Sequence, residues 1–294
     1  FEGDAAAEEQ TLRTYIESQQ GQAGFPLNGS TDEAVTRLAT FLDGLDANPL
    51  TVSDGADSLN RAEATNAIKE LVVASPDKWP LLNEGLTQAM NAHDGTALMK
   101  NAGFLPGEGG PTATEAQIVE HLQSVYGFAA NRCLDFPDSG NQASWDAALA
   151  SYRRDYPVFH SLVPQHDAYC HGWGHTGKTE PVDVDVDATN PVLVVGILHD
   201  PATPYPWSKA LVSRLRNSHL LSVDMYGHGA TGFNSCATAK VNDYFVKEAL
   251  PSDGEVCAAN PEPRAEEQAP AGVGTPAGVA TLAGVARPVG SRAG

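Results

Sequence analysis

The chain has 294 residues, enough for one large or two small domains, and 41% of them are hydrophobic, enough to build a packed core. Lys and Arg total 18 against 37 Asp and Glu, a formal net charge of −19. That balance argues against nucleic acid and anionic membrane surfaces, whose phosphates would be repelled, and otherwise reads as solubility rather than as a substrate preference.

No apolar run approaches the roughly 20 residues that a spanning helix needs, so no membrane insertion is expected. Neither Met nor a basic or apolar leader precedes Phe1. The expectation is therefore a processed chain, or one whose beginning is missing.

Residues 1–180 read as an all-helical unit. Ser30-Thr31-Asp32-Glu33 has capping-box spacing, and Val35, Leu38, Leu42 and Leu45 follow on one face. Ile68, Leu71 and Val72 mark a second helix. Leu82, Leu86 and Met90 mark a third, entered through Trp79-Pro80 with proline near the first turn. Ile118, Leu122, Val125 and Tyr126 predict a fourth, and Trp145, Leu149 and Tyr152 a fifth. Loops bearing Gly and Pro separate them at 107–111 and 137–140, and no strand pattern appears.

The period changes beyond residue 181. Pro191–Gly196 is a short β-branched apolar run, as expected of a strand buried on both faces of a parallel sheet. Ser208–Leu215 reads as a helix, His219–Met225 as a second strand, and Cys236–Leu250 as a second helix. Strand–helix–strand–helix order predicts parallel strands joined by crossovers. Two strands do not make a stable sheet of this kind, so further strands are expected from sequence outside the chain. The fold class is α/β, with the parallel-sheet unit ending near residue 257. Residues 258–294 are rich in Ala, Gly and Pro, repeat Ala-Gly-Val three times, and are expected to form a disordered tail.

Asp200 and His228 carry the chemistry. Each follows a predicted strand, and reacting groups in parallel sheets gather at the strands' carboxyl ends. Their separation suits one strand–helix–strand step. A carboxylate can fix the imidazole tautomer, and the imidazole can then deprotonate a hydroxyl. Pro201 and Pro204 stiffen the acid loop, while Gly227 and Gly229 permit a sharp turn around His228. The alternative is an Asp capping the turn near Pro206 and an ordinary loop histidine. The pairing favours catalysis.

Other groups are weaker. His166, Cys170, His171 and His175 cluster, but Gly172 and Gly174 interrupt the helix a metal pair needs, and no metal or cofactor is expected. Asp183, Asp185 and Asp187 begin like a calcium loop, yet Ala188 and Val194 occupy the positions that need Gly and Glu. Cys133, Cys170, Cys236 and Cys257 permit three pairings, or free thiols in a reducing compartment.

The segments "PVLVVGILHDPATPY" (191–205) and "GHGATGFNSCATAKVNDYFVKEALPSDGEVC" (227–257) resemble the C-terminal region of the tripeptidyl-aminopeptidase-like branch of the α/β-hydrolases, exported bacterial serine peptidases. "DEAVTRLATFLDGLDANPL", "WPLLNEGLTQAM", "CLDFP" and "YCHGW" extend the likeness into the helical half, which would be the cap. The resemblance implies that Asp200 is the catalytic acid and His228 the catalytic histidine. It also implies a Cys236–Cys257 disulfide and, by inference, a Cys133–Cys170 one. A peptide or small ester is the implied substrate, with short peptides or residues released from peptide N-termini, and a proline-specific peptidase, an esterase or a non-catalytic hydrolase-derived binder are the alternatives. Asp135, two residues after Cys133, is a candidate for the substrate's terminal ammonium, the alternative being a residue that ends a helix. Nothing sets an oligomeric state.

This chain departs from the family in three places. Ala230 stands where a second histidine is usual, a cysteine pair is absent from "SQQGQAGFPL", and Ile197-Leu198-His199 replaces small or polar residues. The family's nucleophile lies in a Gly-x-Ser-x-Gly elbow. Ser139 and Ser235 both lack that frame, as does every other serine. The nucleophile is expected upstream of Phe1, and the chain alone is expected to be inactive by this route.

Overall fold

The computed structural model describes residues 2–53, 58–74, 76–104, 115–135, 140–162, 170–174 and 186–260. The helices begin with α1 (Glu2–Gln19) and α2 (Thr31–Leu45). The α2 start follows the capping-box pattern: the Glu33 N–H donates to Ser30 Oγ, and the Ser30 N–H donates to Glu33 Oε2. Val35, Leu38, Leu42 and Leu45 are buried, as their spacing predicts. Helix α3 (Arg61–Ala74) buries Ile68, Leu71 and Val72, and α4 (Trp79–Thr87) buries Leu82 and Leu86. Each such aliphatic side chain contributes about 1.5–3 kcal/mol when fully removed from water.

Helix α4 runs on into a π turn at Gln88–Ala92, followed by α5 (Thr96–Asn101). Next come α6 (Glu115–Asp135) and α7 (Gln142–Asp155). Tyr126 of α6 points outward rather than into a core, and α7 fully buries none of its residues. The loops read at 107–111 and 137–139 lie outside the described residues, as do His166, His175, Asp183, Asp185 and the tail beyond 260.

The helical half is not purely helical. Strands β1 (Leu50–Thr51) and β2 (Ser58–Leu59) pair antiparallel, Leu50 opposite Leu59. Two residues per strand are too few to show alternation, so the sequence gives no sign of them. One core gathers α1 to α5 together with Val158 and Phe159.

The second unit is a parallel sheet. Strand β3 (Val186–His199) leads into α8 (Tyr205–Arg214), β4 (Leu215–Tyr226), α9 (Ser235–Lys247) and β5 (Val256–Cys257), in sheet order β3-β4-β5. Strands β3 and β4 pair in register from Val192–Ser218 to Ile197–Val223. The register shifts between Asp187 and Val192, which is where Pro191, lacking an N–H, can be tolerated. Both long strands exceed the spans their apolar runs predict, because pairing continues into polar residues at each end. The third parallel strand, β5, was not anticipated. It pairs Ser222 with Val256 and Val223 with Cys257.

Two disulfides close the chain on itself: Cys133–Cys170, and Cys236–Cys257, which ties the start of α9 to β5. Both are the pairings that the resemblance implies. They are compatible with an extracellular protein. Among the described residues no helix is long and apolar enough to cross a membrane.

Candidate active site

Strands β3 and β4 end side by side, so the loops that follow them meet. Asp200 is the first residue beyond β3, and its side chain is only 4% exposed. Its own loop folds around the carboxylate. Oδ1 accepts the backbone N–H groups of Ala202 (2.8 Å) and Thr203 (2.9 Å), and Oδ2 accepts the Thr203 hydroxyl at 2.7 Å. Buried carboxylates need such partners, and these fix the oxygens in one orientation. Asp200 thus closes its own turn instead of capping α8, which begins after Pro204.

The remaining lone pairs face the second loop. His228 Nδ1 lies 3.0 Å from Asp200 Oδ2 and 3.2 Å from Oδ1. An ionised carboxylate only accepts, so Nδ1 carries the proton and Nε2 is left as the basic nitrogen. The imidazole is 59% exposed. Gly227 makes the turn possible with φ +105°, and its N–H donates to the His199 carbonyl at 3.4 Å, holding the loops together. A side chain at Gly227 would lie 2.7 Å from the Ala74 carbonyl of α3, so the His loop is seated directly on the helical unit.

An aromatic chain joins the two units as well. Tyr226, the last residue of β4, meets Trp79 edge-on at 5.7 Å, and Trp79 meets Tyr15 of α1 in the same way. The Tyr15 hydroxyl donates to Asn83 of α4.

The acidic side of α1 has no counterpart among the residues expected from the sequence. Asp4, Glu8 and Glu9 lie at helical spacing among alanines, a signal the charge pattern could have revealed. Burial raises the Asp4 carboxyl, and the charge of Asp200 adds to the effect against Lys69 and Arg132. Burial also raises Glu8, although Lys69 Nζ sits 2.7 Å from it. Glu9 is pushed up to about 7 by burial, with one oxygen accepting the Val158 N–H. His199, one of the departures from the family pattern, lies in a second imidazole–carboxylate pair, its Nε2 being 3.2 Å from Asp224 Oδ1.

Asp135 ends α6 exposed, with no hydrogen bond or ion pair to Asp200 or His228 among the described residues. His171 packs edge-on against Trp145 at 5.0 Å.

Residues 156–257 match the family model described as "TAP-like protein". Over 239 residues, 79% of this chain and 44% of the relative, the sequence is 27% identical to a protein named Carboxylesterase B from Mycobacterium tuberculosis. Over 148 residues, 49% of this chain and 27% of the relative, it is 30% identical to a protein named tripeptidyl aminopeptidase from Streptomyces coelicolor. A tripeptidyl aminopeptidase of Streptomyces lividans matches to the same extent. The chain therefore spans less than half the length of these curated relatives.

Proposed function

We propose, for a chain whose residues 156–257 place it in the TAP-like branch of the α/β-hydrolases, that Asp200 and His228 are the acid and the histidine of a serine-hydrolase triad. His228 acts as general base and then general acid, and Asp200 holds its tautomer and stabilises the imidazolium. The observation that carries this reading is the 3.0 Å contact between His228 Nδ1 and a carboxylate that its own loop already holds in place.

The nucleophile is the serine of a Gly-x-Ser-x-Gly elbow, a frame absent from these 294 residues, so it belongs to sequence outside them. Residues 1–180 serve as the cap, residues 181–257 as the C-terminal part of the catalytic core, and the rest as a tail. The complete enzyme is exported and releases short peptides from substrate N-termini, Asp135 being a candidate for the terminal ammonium. Relatives named Carboxylesterase B favour a second reading, hydrolysis of small esters on the same machinery.

The test is fluorophosphonate labelling. The isolated chain should not label, whereas the chain joined to an elbow-bearing segment should label and cleave a tripeptide anilide. Loss of that activity in His228→Ala supports the assignment. Labelling of the isolated chain, or full activity in His228→Ala, overturns it.

A further inference from the structure

Thr203 is the residue of the acid loop that reaches both oxygens of Asp200. Its N–H donates to Oδ1 at 2.9 Å and its hydroxyl donates to Oδ2 at 2.7 Å, whereas Ala202 reaches Oδ1 alone. The sequence prepares that clamp. Pro201 and Pro204 are buried on either side of the exposed Ala202 and Thr203, and their fixed φ stiffens the loop. Pro204 also disfavours a helical conformation at the residue before it, so α8 starts at Tyr205 and the Thr203 N–H is left to the carboxylate.

The same hydroxyl bears on His228. Thr203 Oγ1 lies 3.4 Å from Nδ1, against 3.0 Å for Asp200 Oδ2 and 3.2 Å for Oδ1. A hydroxyl has one proton, and the short bond to the charged Oδ2 takes it. What Oγ1 turns towards the imidazole is therefore a lone pair. Nδ1 faces three oxygens that accept, which favours a proton on Nδ1 and repels a lone pair there. Within the acid loop both N–H groups go to Oδ1, so the orientation of Oδ2 rests on the Thr203 hydroxyl. Removing it makes Oδ2 a slightly better acceptor, but that gain is smaller than the loss of orientation, because the two donors on Oδ1 still hold most of the charge.

We infer that Thr203 is a positioning residue of the reacting pair: its hydroxyl locks Oδ2 of Asp200 in place and thereby keeps the proton of His228 on Nδ1. The inference rests on the assignment of Asp200 and His228 as that pair, and adds to it the group that orients the acid. The imidazole is 59% exposed, so water competes for its nitrogens and the tautomer depends on the set of acceptors at Nδ1. A histidine with its proton on Nε2 is in the wrong tautomer for a general base, and an acid free to turn would allow it.

The test uses the full 294-residue chain and needs no nucleophile. Nitrogen NMR at pH 8, above the ordinary imidazole range, reads which nitrogen of His228 carries the proton. The unmodified chain should hold it on Nδ1. Thr203→Val keeps the branched shape and the backbone N–H but has no side-chain donor. It should lower the ratio of Nδ1–H to Nε2–H about five-fold, the fold-change of one net hydrogen bond. Thr203→Ser, which restores the hydroxyl without the methyl, should return the ratio close to its starting value. The Ala202 amide signal, which reports the bond to Oδ1, should stay in place in both variants, and so separates turning of the carboxylate from collapse of its loop. An unchanged ratio in Thr203→Val, an equal fall in Thr203→Ser, or a fall accompanied by a displaced Ala202 signal would overturn the inference and leave the pair itself standing. An unmodified chain with the proton mainly on Nε2 would overturn the pair, and the inference with it.

Discussion

His228 Nδ1 lies 3.0 Å from Asp200 Oδ2, across 28 residues of sequence, and the same carboxylate receives three further donors from residues 202 and 203. The acid is thus positioned before the histidine arrives. Asp200→Asn should keep the loop but present an N–H₂ group that cannot accept the Nδ1 proton. In the chain joined to its nucleophile, kcat should fall by about 10³–10⁴ with little change in KM. In the isolated chain, nitrogen NMR should show His228 losing its fixed Nδ1–H tautomer. An unchanged tautomer would refute the positioning role of Asp200.

Gly227 and Gly232 provide a matched comparison. Both have positive φ, +105° and +89°, but only Gly227 faces backbone, the Ala74 carbonyl. Gly232→Ala should cost about 1 kcal/mol from backbone strain alone. Gly227→Ala should cost about 2–4 kcal/mol, because the strained turn must also move away from α3. Urea unfolding measures both, and equal costs would remove the idea that the His loop is seated on the helical unit.

The Cys236–Cys257 disulfide fastens a two-residue strand that also pairs with β4 and is flanked by the Lys240–Glu255 ion pair and the Asn234 bond to the Ala258 carbonyl. Replacing both cysteines with alanine should lower stability by about 3 kcal/mol, the usual worth of closing a loop of this length. The loss should appear as a lower Tm for the sheet unit. A Tm unchanged by the double substitution would mean that β5 is held by packing alone.

Glu9 gives the fold a pH dependence. Its carboxyl is raised by burial from an ordinary 4.5 to about 7, so the folded chain holds that proton more tightly than the unfolded chain. Between those values the native state binds more protons, and stability falls as pH rises through the window. Glu9→Gln removes the burial of a charge and retains an acceptor for the Val158 N–H. It should therefore be more stable than the parent at pH 8, by on the order of 1–3 kcal/mol, and nearly equal to it at pH 4.5. Denaturation at both pH values decides this, and an identical difference at the two would exclude titration of Glu9 as the cause.

Some features were legible because they are local. The Ser30–Glu33 spacing sufficed to start α2, and the apolar run after Pro191 to identify a strand of a parallel sheet. Strand β5 was not legible, since Val256-Cys257 has no periodicity and gains its partners only when Ser222 and Val223 come alongside. The β1–β2 pair escaped for the same reason.

The sequence by itself determined the order of elements, the residue types of an acid–histidine pair, and the lack of a serine in an elbow frame. Those are properties of spacing and chemistry along the chain, and folding does not alter them. Only the tertiary structure decided that Asp200 is held by its own turn, that Gly227 rests against Ala74, and that His199 is stacked on Tyr226 with its Nε2 3.2 Å from Asp224. Each of those depends on two segments meeting at a distance of a few ångströms, and the packing of α1, α3 and the strand ends against one another sets that distance.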